Sequence, residues 1–547
     1  MRNVIAGAAL LAAAMQVQAN AAYREILEAA YPADGPGAAA LVVKNGEVVF
    51  NDAVGMANIE LGMPLRPDHV FRLGSITKQF TGAAVMLLVE EGKVDLDAPI
   101  QEYLPDYPDH GHTITTRHLL THTSGIFNYT SIPGYFAEGK IRADLTTEEL
   151  IDVFDELEMD FAPGERYSYS NSGYVLAGAI IEKASGMSYA DFVQQRIFDP
   201  LGMKNSHYGG SQLIKGRAAG YSPGEGGHVN AAFLSMTQPH AAGSLLSTVN
   251  DLVTWNTALF EGKLLSEKSV EEMIKPFELN DGSLSRYGLG FSVEEFRGET
   301  SVAHGGGING FTTFQRYLPD QGIYTVVLTN TSGKSPNYTS NLLSSLAMGR
   351  PHAPERIEVD ASVLREYTGA FEIAEGDVRK IFFENGELYS QRNGGQRFVI
   401  FPTDKDTFYY QDSFSYVVFD RNRRGEVVGM KFYSDGATEA QVVERTGPAE
   451  EEQRAVADVS PELFDLWAGT YEIQPGFNMV ITREGDSLMS QATGQAKFRL
   501  LPASAHRYFV NEFPAEVEFA AGDDGRGSTL TLYQGGQEIV APRVEGG

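Results

Sequence analysis

The chain has 547 residues, a formal net charge of −29 and no cysteine. The absence of cysteine excludes disulfides, thiol nucleophiles and thiolate metal sites. The negative charge argues against a nucleic acid partner, because phosphate backbones are bound by clustered lysine and arginine.

The N-terminus has the features of an export signal. Arg2 precedes a short apolar run from Val4 to Met15, and small residues follow at Ala19 and Ala21. This order predicts a signal peptide over residues 1–21, because the apolar run is too short to span a bilayer. We therefore expect a periplasmic or secreted protein without stable membrane insertion.

Two distant parts of the chain have strand character. A hairpin with a type I′ turn is predicted where Asn45-Gly46 separates two apolar strands, and further strands and a last helix are predicted after residue 300. The segment from about Gln101 to Gly262 favours helices and loops. We expect an antiparallel sheet covered by helices, an α/β sandwich, beside an all-helical lobe. The predicted elements are strands Ala38–Val43, Glu47–Phe50, Ser301–Val302, Thr312–Tyr317 and Gly322–Leu328, and the helix Tyr338–Met348.

The stretch around Ser75 predicts a buried helix that carries a nucleophile. Gly74 and Ser75 form a turn signal, the run Thr81–Val89 is apolar nearly all round, and Gly92 gives a C-cap. Ser75 and Lys78 are three residues apart and share a helix face. Because burial and the helix dipole both disfavour an ammonium, we expect Lys78 to lose its proton near neutral pH and activate Ser75.

Tyr169 and Asn171 are candidates for the remaining chemistry of a serine nucleophile. A phenol near an ammonium favours its charged form, so Tyr169 is expected to titrate low enough to exchange protons with Ser75. Asn171 is expected to hold Lys78 and to donate to a substrate carbonyl. For Tyr169 taken alone, a packed aromatic residue is the alternative.

The third candidate is the run of His304, Gly305, Gly306 and Gly307. Glycines on a strand let a substrate backbone lie close, and the Gly307 amide is expected to form an oxyanion hole with the amide of Ser75.

Two other motifs are rejected. The span Gly305–Gly310 fits the dinucleotide fingerprint, but Phe311 continues a strand where the fingerprint needs a helix. His118 and His122 mimic a zinc pair, but Leu119 stands where the metalloprotease motif needs glutamate, so structural histidines are favoured. We expect no metal and no cofactor.

The last two hundred residues contain an internal repeat at a spacing of one hundred. The segment Tyr367–Ile373 matches Trp467–Ile473, and the charged stretch Gly447–Gln453 lies between the copies. The repeat predicts two small antiparallel β-barrels, lipocalin-like, over residues 361–446 and 462–547, after a domain over residues 22–350. Gating of a cleft, cell-wall binding and simple spacing remain open as their purpose.

Residues from about Ala38 to Gly349 resemble the serine β-lactamase and penicillin-binding-protein family, in its class C-like branch. The resemblance rests on three motifs in order, Ser75-Ile76-Thr77-Lys78, Tyr169-Ser170-Asn171 and His304-Gly305-Gly306. It implies an acyl-enzyme on Ser75, with Lys78 and Tyr169 sharing the general base and acid roles.

The third motif departs from the β-lactamases, which have Lys-Thr-Gly where this chain has His304. A mostly neutral imidazole binds a substrate carboxylate less well than a fixed ammonium. Activity on substrates with a carboxylate near the scissile bond is therefore expected to rise as pH falls through the imidazole pKa. With its two barrels the chain looks most like the D-aminopeptidase and D-stereospecific peptidase members, which implies a small peptide or amide substrate. An esterase or β-lactamase of the same family, and a non-catalytic peptide or cell-wall binding protein, are the alternatives.

Overall fold

The computed structural model describes residues 20–132, 134–135, 139–224, 226–374, 376–449, 456–474, 477–493, 497–510, 515–522, 525–534 and 537–544. All but the last two residues of the predicted signal peptide lie outside these ranges. The chain divides into two compact units, and the main division falls between His352 and Ala353. Within the described residues, every helix is too short or too polar to cross a bilayer.

The first unit is built on a six-stranded antiparallel sheet. Its strands are β1 (Ala38–Lys44), β2 (Glu47–Val54), β3 (Ser292–Phe296), β4 (Glu299–Ile308), β5 (Phe311–Leu318) and β6 (Ile323–Thr329). Their spatial order is β3-β4-β5-β6-β1-β2. Because β1 pairs with β6, the sheet joins distant parts of the chain, which confirms the predicted topology. Strand β3 was not predicted.

The centre of the sheet is buried on both faces. Strands β1 and β6 have almost no exposed residue, and the helices Val249–Phe260 and Asn337–Ala347 pack against both of them. The hairpin between β1 and β2 has positive φ at Asn45 (51°) and Gly46 (79°). Both central residues of a type I′ turn need this conformation, so the predicted turn is confirmed.

Two helices of the same unit carry the predicted motifs and pack against each other. Helix α1 (Thr77–Glu90) follows a 3₁₀ turn at Gly74–Ile76, and helix α2 (Asn171–Ser185) begins at the second motif. Helix α1 is buried over nearly its whole length, as predicted.

Shorter elements complete this unit. The remaining helices are Thr116–Leu120, Thr147–Ile151, Tyr189–Val193, Asp199–Leu201, His240–Gly243 and Glu267–Met273. Short strands lie at Met56–Asn58, Met63–Pro64, Phe71–Arg72, His207–Tyr208, Tyr221–Gly224, Gly227–Asn230 and Leu245–Ser247.

The second unit contains two closed eight-stranded antiparallel barrels, as the repeat predicted. Short helices at Ala361–Leu364 and Phe464–Trp467 precede them. The first barrel has strands Gly369–Ala374, Asp377–Glu384, Glu387–Arg392, Arg397–Asp404, Thr407–Tyr410, Tyr416–Arg421, Val427–Tyr433 and Gln441–Gly447. The second has strands Gly469–Gln474, Phe477–Glu484, Ser487–Ala492, Lys497–Pro502, Arg507–Val510, Ala515–Ala521, Gly527–Gln534 and Gln537–Val544.

Strand β4 lies directly against the turn that precedes α1. A Cβ atom on Gly306 would lie 2.0 Å from the carbonyl oxygen of Leu73, which accepts a hydrogen bond from Thr313 Oγ1 at 2.7 Å. Gly74, in the same turn, has φ of +56°, which favours glycine. The close contact between the two backbones at Gly306 therefore fixes the Ser75 turn against the sheet.

We expect Gly306→Ala to destabilise the protein by about 1–3 kcal/mol, because the overlap is with backbone that no side-chain rotation can relieve. Activity should fall with it, since the Ser75 turn must move. Gly305→Ala is the matched control, because a Cβ there meets nothing closer than the Phe314 ring at 3.4 Å. Urea unfolding of both variants measures the difference, and equal losses would contradict the role given to Gly306.

Candidate active site

Lys78 lies in the first turn of α1 and its side chain has no exposed surface. Its Nζ is 3.1 Å from Ser75 Oγ, 2.8 Å from Asn171 Oδ1 and 2.9 Å from the carbonyl oxygen of Ala242. Burial lowers the pKa of Lys78 well below its ordinary value. The structure therefore favours a neutral amine at this position, as predicted.

Burial favours the neutral amine, which has two N–H groups and one lone pair to distribute among the three partners of Lys78. The Asn171 Oδ1 and the Ala242 carbonyl can only accept, so they take the two N–H groups. Asn171 is held in this orientation because its Nδ2 donates to Thr130 Oγ1 at 3.2 Å. In the neutral form the remaining lone pair can accept the hydroxyl hydrogen of Ser75, whereas an ammonium would donate to Ser75 Oγ at the same 3.1 Å. Lys78 is thus placed as a general base toward Ser75.

Tyr169 lies on the other side of this pair. Its hydroxyl forms a hydrogen bond with Ser75, and its ring centroid is 4.7 Å from Lys78 Nζ. Burial raises the pKa of Tyr169 and outweighs the lowering by the Ser75 hydrogen bond. The expectation that Tyr169 titrates low is therefore wrong: a neutral Lys78 offers no positive charge to stabilise a phenolate. Tyr169 remains a phenol that can donate its proton.

His304 is buried, and both of its ring nitrogens have partners within the protein. Its Nδ1 is 2.5 Å from the Gly305 carbonyl oxygen and its Nε2 is 2.7 Å from the Tyr287 hydroxyl. Because a carbonyl only accepts, Nδ1 carries the hydrogen and Nε2 accepts from Tyr287. Burial lowers the pKa of His304 below its ordinary value.

This geometry corrects the expectation that His304 contacts a substrate carboxylate. Because burial lowers the pKa of His304, the ring favours its neutral form, which argues against the predicted gain at lower pH. Its ring instead holds the Gly305 peptide and the Tyr287 hydroxyl in place. His304 is a positioning residue of strand β4.

The two amides predicted to form an oxyanion hole lie on adjoining segments of chain. A Cβ atom on Gly306 would be 3.0 Å from the Ser75 nitrogen, and one on Gly74 would be 2.9 Å from the Gly307 nitrogen. Gly307 is exposed and a Cβ atom there would meet nothing within 4 Å. The open space beside Gly307 leaves room for a substrate next to Ser75.

Aromatic side chains around Lys78 were not predicted as part of the site. The Tyr174 ring centroid is 5.2 Å from Lys78 Nζ, and its hydroxyl donates to the Leu120 carbonyl at 2.6 Å. Tyr287 also belongs to this group through His304. Tyr174 lies one helix turn after Asn171, so the sequence could have indicated that it belongs to the site. Tyr287 belongs to no motif and could not have been found in this way.

The two histidines judged to be structural have different surroundings. His118 Nδ1 accepts from the Thr115 amide at 3.3 Å and caps its own helix. His122 Nδ1 accepts from the Ser170 amide at 3.1 Å, and its ring lies 4.2 Å from that of Tyr169. Its buried Nε2 has no hydrogen-bond partner. Nowhere in the described ranges do three histidine or carboxylate side chains form a group able to hold a metal ion.

The sequence and fold were compared with known proteins. Residues 25–345 match the family described as Beta-lactamase, and residues 453–543 match a domain of unknown function, DUF3471. Penicillin-binding protein 4* of Bacillus subtilis (strain 168) is 28% identical over 432 residues, 74% of this chain and 94% of that protein. A D-aminopeptidase of Gluconobacter oxydans (strain 621H) is 28% identical over 341 residues, 60% of this chain and 62% of that protein.

A solved structure agrees with these relatives. D-amino acid amidase from Ochrobactrum anthropi SV3, complexed with D-phenylalanine, is 29% identical with a TM-score of 0.53, covering 61% of this chain and 99% of that chain. The match to the Beta-lactamase family includes more than half of the chain and all three motifs. The chain belongs to the β-lactamase family and is a serine hydrolase.

Proposed function

We propose that this hydrolase cleaves amides of D-amino acids or short D-amino-acid peptides through an acyl-enzyme on Ser75. The observation that carries the proposal is the burial of Lys78, which lowers the pKa of its amine well below the ordinary value and places its Nζ 3.1 Å from Ser75 Oγ. The substrate class is supported by the D-aminopeptidase and D-amino acid amidase relatives. Because the sequence predicts an export signal, we place the activity in the periplasm or outside the cell.

Acylation begins when Ser75 Oγ attacks the substrate carbonyl carbon. Its proton passes to the lone pair of Lys78, while the amides of Ser75 and Gly307 stabilise the charge that develops on the carbonyl oxygen. The C–N bond then breaks and the amine leaves. Water attacks the resulting ester in the second half of the cycle, which releases the acid and restores Ser75.

Tyr169 supplies the proton that an amine leaving group needs. Its raised pKa keeps it protonated, and its hydroxyl already contacts Ser75. After the amine has taken the proton, the Lys78 ammonium returns one to the phenolate, so both groups end neutral. Lys78 therefore acts as base and Tyr169 as acid during acylation.

The stereochemical part of the proposal is tested with D- and L-phenylalanine amide as matched substrates. We expect kcat/KM to favour the D-amide by at least about 100-fold, or about 2.7 kcal/mol. Ser75→Ala should lower the rate by roughly 10⁴-fold or more. A chromogenic cephalosporin and a nitrophenyl ester complete the panel. Faster cleavage of either one than of every amide would replace the amidase proposal with a β-lactamase or an esterase.

Tyr169→Phe should affect amides and esters differently. Loss of the proton donor is expected to slow amide hydrolysis by roughly 10²–10⁴-fold, whereas a p-nitrophenyl ester should lose much less, because nitrophenolate leaves without a proton. Tyr167→Phe is the control, since the Tyr167 side chain is 39% exposed. Stopped-flow kinetics with both substrates measures the ratio, and equal losses for amide and ester would remove Tyr169 from the acid role.

Lys78 should also give the protein a distinctive dependence of stability on pH. Its folded pKa is lowered, so between that value and the unfolded pKa only the unfolded state binds the proton. Wild-type stability should therefore rise with pH relative to Lys78→Met, by up to about 1.4 kcal/mol per pH unit. Urea unfolding from pH 6 to pH 9 measures this. Lys183→Met changes a side chain that is 57% exposed, so its stability should depend on pH as that of the wild type does. If the stability of Lys78→Met also showed the wild-type pH dependence, a neutral Lys78 would be refuted.

A further inference from the structure

The interior of the first barrel contains a buried arginine. Arg379 is the cross-strand neighbour of Phe371, which is fully buried in the barrel core. Arg379 itself is only 7% exposed. The side chains of Ser390 and Tyr410, also buried, lie beside it. These three residues form a polar layer next to the apolar core of the barrel.

Hydroxyl groups contact only one nitrogen of the guanidinium. Arg379 Nη1 donates to Tyr410 OH at 2.7 Å and to Ser390 Oγ at 3.2 Å, and the two hydroxyls are 2.7 Å apart. The ring centroid of Phe432 is 4.2 Å from the guanidinium carbon. Arg379 Nε is buried and has no hydrogen-bond partner. The guanidinium thus has unused donor capacity.

No carboxylate among the residues that the structure describes forms an ion pair with Arg379. Asp377, two residues before it, is instead bound by Arg392, whose Nε donates to it at 2.8 Å. A guanidinium cannot lose its proton to escape burial. Burying a charge without a direct ion pair is unfavourable. Arg379 acts on the Asp377 carboxylate only as a nearby charge, and because Arg392 already pairs with Asp377, one positive charge remains in excess.

The second barrel shows that this fold does not need the arginine. The same positions, one hundred residues later, are Met479, Ser490 and Val510, and their cross-strand partners correspond in register. Met479 and Val510 belong to the apolar core of that barrel. The arginine and the tyrosine are therefore features of the first barrel that the second barrel lacks.

The polar layer lies next to apolar side chains that reach solvent. Phe398 pairs with Ser390 and shares its side of the sheet, yet it is 50% exposed. Ile373 and Phe432 are half-buried and pack against the barrel core. An apolar surface open to solvent thus adjoins the unpaired cation.

We propose that the first barrel binds an organic carboxylate, with its anionic group on Arg379 and its apolar part against Phe398 and Phe432. A carboxylate can accept two parallel hydrogen bonds from a guanidinium, and the hydrogen-bonded pair of Ser390 and Tyr410 has one hydroxyl hydrogen left to donate. One carboxylate also balances the single positive charge. This site is separate from the hydrolytic chemistry of Ser75 and does not depend on it.

The test is calorimetric titration of the full chain carrying Ser75→Ala, which prevents turnover of the probes. The probes are octanoate with octanamide, and N-acetylphenylalanine with its amide. We expect at least one carboxylate to bind tenfold or more tightly than its amide. Octanoate alone would identify a fatty-acid type of ligand, and N-acetylphenylalanine alone the carboxyl end of a peptide. Failure of both carboxylates to bind below 1 mM would overturn the proposal.

Arg379→Met gives this barrel the residue of the second one, so it should fold, and it should weaken carboxylate binding tenfold or more. Arg424→Met is the control: it removes an exposed arginine from a turn of the same barrel and should change binding less than twofold. Tyr410→Phe should weaken binding several-fold and serves as the second variant if Arg379→Met does not fold. Unchanged binding in the folded variants would show that Arg379 is structural.

Discussion

The complete burial of the Lys78 side chain is the constraint on which the active site depends. Removal from water disfavours the ammonium and lowers the pKa of Lys78, which favours a neutral amine with one lone pair. Two acceptor-only oxygens, on Asn171 and Ala242, can take its two N–H groups, so that the lone pair is available to Ser75. Burial also keeps Tyr169 protonated, so that Lys78 can accept a proton while Tyr169 can donate one.

This burial is produced by parts of the chain that are far apart in sequence. Lys78 is on α1, Asn171 begins α2, and Ala242 lies in the short helix His240–Gly243. Strand β4 closes the site, because Gly306 permits its backbone to touch the Ser75 turn. The hydrolytic chemistry is therefore a property of the assembled unit, and each element contributes one or two groups.

Burial of a basic side chain has a different consequence in the first barrel. A buried lysine can give up its proton and become a useful base, whereas a buried arginine keeps its charge. Arg379 is held by two hydroxyls and a ring, while Met479 occupies the equivalent place in an apolar layer. One scaffold thus supports both a hydrophobic interior and an interior with a cation that forms no direct ion pair among the described residues.

The sequence by itself determined the three motifs, the antiparallel sheet and the two barrels, because the turn at Asn45-Gly46, the apolar helix after Ser75 and the hundred-residue repeat are local or periodic signals. Only the tertiary structure decided the protonation states of Tyr169 and His304 and the parts played by Ala242 and Tyr287. Those depend on desolvation and on hydrogen-bond partners from other segments. A motif shows which group is present, and its surroundings in the fold set its charge.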